Sequence, residues 1–224
     1  MRNPVETLIS TIAPHRCLIC KREGSLLCQS CMSVELICPP SRCYRCHRAS
    51  IQSQVCASCR PKSPLKHVWI ATEYNETAKQ LIHRLKFERA SAAADNIAES
   101  IDEALPVLPA DIVVCHIPTA HRRIRVRGYD QSMLIATSLA KRRGWTVKSL
   151  LLRKGSSRQV GSSRKERLHQ LQNAFLANDS HSYQHVLLID DVLTTGATVE
   201  SAAKVIKKSG VKQVDAVVFA QPIE

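Results

Sequence analysis

Asp190 and Asp191 stand side by side after four apolar residues, Val186 to Ile189, and Thr194-Thr195-Gly196-Ala197-Thr198 follows within three residues. An apolar run of that length makes a strand buried on both faces, and open α/β sheets place their ligands at the carboxyl ends of such strands. Small residues around one glycine let consecutive backbone N–H groups wrap an anion, and a helix starting there adds the positive end of its dipole. The hydroxyls of Thr194, Thr195 and Thr198 are further donors. A phosphate cradle beside two carboxylates that can accept from a vicinal diol is the chemistry of a ribose 5-phosphate site. A capped turn with two solvated acids is the plain structural alternative. A Walker B strand holding Mg2+ is another, but the chain has neither G-x4-G-K-[ST] nor G-x-G-x-x-G.

Eight of the ten cysteines form four C-x2-C pairs: Cys17/Cys20, Cys28/Cys31, Cys43/Cys46 and Cys56/Cys59. Each pair can put two thiolates on one ion, and two pairs complete a closed tetrahedral site, so the set suits two structural zinc ions. Sequential pairing closes the shorter loops, with a cross-braced arrangement as the alternative. Four such pairs within 43 residues are poorly explained as scattered free thiols or disulfides. Cys38 and Cys115 fall outside the pairs and are expected to be small buried thiols. His15 and His47 flank ligands and are expected to be bystanders.

A third group is His121-Arg122-Arg123-Ile124-Arg125-Val126-Arg127-Gly128, expected as a basic loop after a strand and therefore also at the carboxyl edge of the sheet. Arg122, Arg125 and Arg127 could pair bidentately with a pyrophosphate. The same arginines, with Lys141, Arg142, Arg143, Arg153, Lys154 and Arg158, could instead neutralise a nucleic-acid backbone. Lys141 to Arg143 also suit a helix C-terminus as a solvated basic face. Base stacking could only be local, with Tyr44, Phe87 and Tyr129 as candidates, so weakly selective, salt-sensitive binding to single strands is expected.

The elements that must position these groups alternate. Strands are expected at 68–74, 111–117, 150–152, 185–189 and 214–219, and helices at 76–88, 90–105, 131–143, 164–171 and 198–209. That order means α/β, a mostly parallel sheet covered on both faces. A Pro-rich stretch, Arg60 to Pro64, separates the cysteine-rich segment from the rest. The net charge of +13 is unevenly spread: +7 over residues 1–70, −4 over 71–119, +12 over 120–170 and −2 over 171–224. With 224 residues and 44% hydrophobic content the chain suits one α/β domain plus a small appendage. No apolar run reaches the 18 or so residues of a membrane span, and Met1 to Pro14 lacks a signal-peptide layout. A cytoplasmic protein without membrane insertion is expected, in which cysteines are thiols or metal ligands.

The stretch around Asp190 to Thr198 resembles the phosphoribosyl-pyrophosphate (PRPP) signature of type I phosphoribosyltransferases. By that resemblance Asp190 and Asp191 contact the ribose hydroxyls and help organise Mg2+, while Thr194, Thr195, Gly196, Ala197 and Thr198 hold the 5-phosphate. The N-terminal cysteine pairs, Tyr74, Leu81-Ile-His-Arg-Leu-Lys86-Phe87, the strand ending Ile117-Pro118, and Arg125-Val-Arg127-Gly128-Tyr129-Asp130-Gln131 together resemble the ComF family. The resemblance spans nearly the whole chain and implies a double zinc-ribbon domain at 1–62 and a Rossmann-like type I phosphoribosyltransferase domain at 63–224. It implies PRPP with Mg2+ as ligand and single-stranded DNA as partner during DNA uptake, with a competence helicase or DNA-processing protein as further partners. One stretch departs from the family pattern: Arg167 is followed by Gln170 where Asn is usual, and Gln159 by Ser162 where Leu is usual. The chain ends five residues after Phe219, so no C-terminal hood for an acceptor is expected. Two alternatives remain: an active transferase with an unknown acceptor, and a zinc-ribbon scaffold with a vestigial ribose-phosphate site.

Overall fold

The computed structural model describes residues 15–88, 90–154, 174–178 and 183–222. The helix expected at 164–171, Arg158 and the departing stretch at 159–170 lie outside these residues.

Five parallel strands form the main sheet. They are β1 (Val68–Glu73), β2 (Val113–His116), β3 (Thr146–Val147), β6 (His185–Val192) and β7 (Gln213–Gln221), in the order β1-β7-β6-β2-β3. Pairs β1/β7, β7/β6, β6/β2 and β2/β3 are all parallel. Between them run α2 (Glu76–Phe87), α3 (Ala90–Ala104), α4 (His121–Arg127), α5 (Gln131–Arg143) and α6 (Ala197–Lys208). A separate antiparallel pair joins β4 (Leu151–Arg153) to β5 (Phe175–Ala177). Among the described residues the N-terminal segment adds a short α-helix, α1 (Gln29–Glu35). Among the described residues no helix is long and apolar enough to cross a membrane.

Strand period decides which layer each side chain enters. Trp69, Ala71, Val114, Leu187, Ile189, Val217 and Phe219 face α2, α3 and α5, with Leu81, Ile97, Ile101, Ile135 and Leu139 opposite. Val68, Val113, Cys115, Val186, Leu188, Ala216 and Val218 face the other way, toward Val199, Ala202 and Ile206 of α6 and Leu151 and Phe175 of the small sheet. The cysteine module shares both layers. Leu26, Leu27 and Met32 join the first, and Tyr44, Val55 and Leu65 the second. It thus wraps the edge of the sheet formed by β1.

Helix ends follow local chemistry. Asn75 caps α2 by accepting from Ala78 N at 2.8 Å, and Asp130 caps α5 by accepting from Ser132 N at 3.1 Å. Gly144 closes α5 in the left-handed region at φ 69°.

The structure corrects three expectations. Residues 121–127 form α4, closed by Gly128 at φ 82°, not a loop. The strand placed at 150–152 lies at Leu151–Arg153 and belongs to the small antiparallel sheet. Cys38 is exposed, while Cys115 is buried.

Candidate functional site

β6 leads through α6 to β7 on one side, and β2 leads through α5 to β3 on the other. The strand order therefore reverses between β6 and β2, the position at which an open α/β sheet leaves a crevice at its carboxyl edge. Asp190 and Asp191 leave β6 at that edge, and α4 follows β2 at the same edge.

Asp190 and Asp191 are both half-buried. Asp190 Oδ1 accepts from the Asp191 N–H at 2.9 Å. Burial first, and then the adjacent Asp191 charge, hold the Asp190 carboxyl well above the usual carboxylate range, against the pull of the Asp191 N–H and of Lys86. Lys86 Nζ lies 2.8 Å from Asp191 Oδ2. Two crowded carboxylates served by one ammonium are a site that favours an added cation.

Thr194 and Thr195 are exposed, and Gly196 is buried at φ 74°, where it forms the N-cap of α6. The N-cap glycine offers no side chain to this helix; the Ala197 N–H donates to Thr195 Oγ1 at a long 3.5 Å, and the N–H groups of Thr198 and Val199 are placed to meet an anion. Leu193 N bonds to Ala220 O at 2.9 Å and ties the loop back to β7.

The cationic side is assembled from distant segments. Arg122, Arg123 and Arg125 are exposed on α4. Arg127 lies over the Phe87 ring, 5.2 Å from its centroid, and donates to Gln131 Oε1 at 2.8 Å. Arg153 of β4 donates to Pro118 O at 3.2 Å and stacks over Phe175 at 5.4 Å. Burial and then Arg123 lower its pKa, while the charges of Asp190 and Asp130 oppose this. Arg153 thus stands in electrostatic reach of the acid pair, α4 and the α5 cap. Asp130 Oδ2 accepts from Thr119 N at 2.8 Å and so fixes the turn after β2. His116 is buried, with Nε2 4.0 Å from Asp130 Oδ2. Burial lowers its pKa, against the Asp130 charge.

The acids, the loop and the α4 arginines are the groups expected from the sequence, and the structure places them at the carboxyl edge of the sheet. Lys86, which pairs with Asp191, and Arg153, which feels the Asp190 charge, are not among the expected site residues. Lys86 stood within a motif already singled out, so a signal was present without a partner to explain it. Of the stacking candidates, Phe87 is 61% exposed and Tyr44 only 5%. Tyr129 donates to Leu85 O at 2.8 Å. Phe87 is exposed, although Arg127 lies over its ring and the His83 ring packs against it with centroids 5.0 Å apart.

The cysteines gather sequentially. Cys17, Cys20, Cys28 and Cys31 form one group and Cys43, Cys46, Cys56 and Cys59 another, the sulfurs of each lying within 4.8 Å of one another. Both groups start with the same small hairpin. Cys17 N bonds to Arg22 O at 2.8 Å and Cys43 N to Arg48 O at 2.9 Å. Lys21 and His47 occupy equivalent left-handed positions at φ 65° and 57°. His47 is therefore a backbone feature of the hairpin and stands outside the sulfur cluster. In the second group, bonds from the Ser58 hydroxyl and then the Cys59 N–H hold Cys56 down to about 6. Burial and then the Cys56 side chain push Cys59 up to about 12. Thiols at such spacing cannot all ionise without a cation among them, and four sulfurs fit a tetrahedron whose edges are about 3.8 Å for 2.3 Å metal–sulfur bonds.

Residues 130–224 match the phosphoribosyl transferase domain family. The DNA utilization protein YhgH of Salmonella typhimurium is 30% identical over 182 residues, covering 76% of this chain and 79% of that protein. Competence protein F of Haemophilus influenzae is 28% identical over 221 residues, covering 89% of this chain and 93% of the relative. Competence protein ComFC of Streptococcus pneumoniae is 26% identical over 212 residues, covering 93% and 94%.

Proposed function

The chain belongs to the ComF family and carries a phosphoribosyl transferase fold, and from that premise we propose a PRPP-binding protein that acts with single-stranded DNA during DNA uptake. In this reading Thr194 to Thr198 hold the 5-phosphate, and Asp190 and Asp191 take the ribose hydroxyls. Arg122, Arg125 and Arg127 receive the pyrophosphate. Magnesium, bound with PRPP, screens the diphosphate charge beside the acid pair. The eight paired cysteines hold two structural zinc ions in a ribbon domain at 1–62, fused to the transferase-like domain at 63–224. Reduced thiols of this kind belong to a cytoplasmic setting.

The observation that carries the reading is the pair Asp190–Asp191 near the end of β6, directly before the loop that enters α6 at Gly196, with Lys86 Nζ 2.8 Å from Asp191 Oδ2. Relatives named for competence and DNA utilization supply the biological context. The exposed arginines of α4 and the exposed Phe87, with Arg127 over its ring, offer backbone neutralisation and a local stacking surface. A competence helicase or DNA-processing protein is the expected macromolecular partner.

A second reading, transfer of ribose 5-phosphate to an acceptor, is favoured by one cavity. About 340 Å3 in volume, it is lined by Pro39, Arg42, Tyr44 and His47 of the cysteine module and by Glu73 and Gln221 at the carboxyl ends of β1 and β7.

Calorimetry with PRPP and Mg2+ tests the primary reading. Wild type is expected to bind, and the Asp190→Ala/Asp191→Ala pair to lose binding. Equal heats from both proteins would contradict the assignment. Pyrophosphate release on adding an acceptor would establish the second reading.

A further inference from the structure

The second cysteine group and the Thr-Thr-Gly loop meet through one side chain. Tyr44 lies between Cys43 and Cys46 and is 5% exposed. Its ring packs on Gly196: a Cβ there would come within 3.0 Å of Cε2 and 3.1 Å of Cδ2. Its hydroxyl donates to Glu200 Oε1 at 2.7 Å and lies 2.9 Å from Ser63 Oγ. Arg45, the next residue, pairs with the same Glu200 oxygen at 2.8 Å. Glu200 in turn closes the first turn of α6, its N–H donating to Gly196 O at 2.9 Å. The left-handed glycine of the loop and the first turn of its helix are therefore both gripped by two consecutive residues of a C-x2-C arm.

An arm of four residues has no core of its own, and two thiolates on one ion are what fix its shape. We propose that Tyr44 is a positioning residue through which metal bound at Cys43, Cys46, Cys56 and Cys59 sets the geometry of the phosphate loop, so that this metal and a phosphorylated ribose bind cooperatively. The ligand half of the proposal rests on reading the loop as the PRPP site. Such coupling is reciprocal: if metal tightens PRPP, PRPP tightens that metal by the same factor. The first cysteine group packs in the opposite layer, where Leu27 N bonds to Asn96 Oδ1 at 3.1 Å, and serves as an internal control.

The test uses the full chain loaded with zinc. A chelator competes for the metal at equilibrium with and without PRPP and Mg2+, and thiol alkylation read by peptide mass spectrometry reports which cysteines are released. PRPP is expected to protect Cys43, Cys46, Cys56 and Cys59 on the order of tenfold and to leave Cys17, Cys20, Cys28 and Cys31 unchanged. Tyr44→Ala is expected to abolish the difference, and Tyr44→Phe, which keeps the ring against Gly196, to retain most of it. Equal protection of both groups, or wild-type behaviour in Tyr44→Ala, overturns the coupling. A wild type that binds no PRPP by calorimetry overturns the ligand half together with the loop assignment. Amide hydrogen exchange over residues 193–200 without PRPP then decides the structural half alone. Faster exchange in Tyr44→Ala than in Tyr44→Phe supports it, and equal exchange in both refutes it.

Discussion

Adjacent carboxylates at the end of a strand repel one another, and the fold answers with Lys86 2.8 Å from Asp191. Asp190 stays well above the usual carboxylate range because it is buried beside that second charge. A group that must be ionised to help hold a cation, yet titrates high, makes affinity depend on pH. PRPP–Mg2+ affinity is expected to weaken as pH falls through the interval, above the usual carboxylate range, in which Asp190 takes up its proton, and Asp190→Asn to flatten the profile. Lys86→Ala removes the partner that stabilises the ionised form, so its profile should move to higher pH; titrations at several pH values check both. The acids and the threonines were legible because they are contiguous and their types state their chemistry. Lys86 and Arg153 were not, because each lies far along the chain and only the packing of α2 and of the small sheet brings it to the acid pair.

At the scale of elements, α4 shows why pattern reading failed. Its seven residues carry four arginines and no amphipathic stripe, and like charges three apart, such as Arg122 and Arg125, oppose an isolated helix. The stop signal was present in Gly128, whose φ of 82° ends the helix. The cysteine spacing, by contrast, favours sequential grouping while leaving a cross-braced one open, and the structure gathers the sulfurs sequentially. Metal analysis is expected to return two zinc ions per chain, and about one would contradict two filled four-thiolate sites. The loop–helix junction is equally specific. Gly196→Ala places a Cβ against the Tyr44 ring and forces an L-residue into the left-handed region, a cost of roughly 1–2 kcal/mol from the backbone alone. Denaturant unfolding should register at least that loss, and an unchanged midpoint would count against the packing described.

Over the whole molecule, the charge is concentrated in one block. Residues 120–170 hold +12 of the net +13, and the described part of that block includes α4 at the carboxyl edge of the sheet. The cysteine module's own surplus would shrink if both cysteine groups hold zinc, because a zinc tetrathiolate carries about −2. If four to six phosphates are neutralised, single-strand affinity should fall with a log–log salt slope of about −3 to −4; a flat response would contradict the backbone mode. Alternating strands and helices made the α/β class readable in advance. That the module would enter both layers of the core was not readable, because its scattered apolar residues have no period to reveal a partner. Stability has its own pH signature. Burial lowers the pKa of His67, against Asp215, and that of His116, against Asp130. Groups depressed in the folded state stabilise it above their unfolded pKa, about 6.5 for histidine, and lose that contribution as pH falls through the folded value. Thermal melts are expected to show a lower midpoint at pH 6 than at pH 7.5, less so in His67→Gln.

Whether the edge between β6 and β2 receives a phosphorylated ribose is read most directly from the difference density of a crystal grown with PRPP and Mg2+. The 5-phosphate is expected on the N–H groups of residues 194–198, the ribose hydroxyls against Asp190 and Asp191, and the pyrophosphate toward Arg122, Arg125 and Arg127. Density for PRPP elsewhere, or an empty β6–α6 loop at saturating ligand, would contradict this placement.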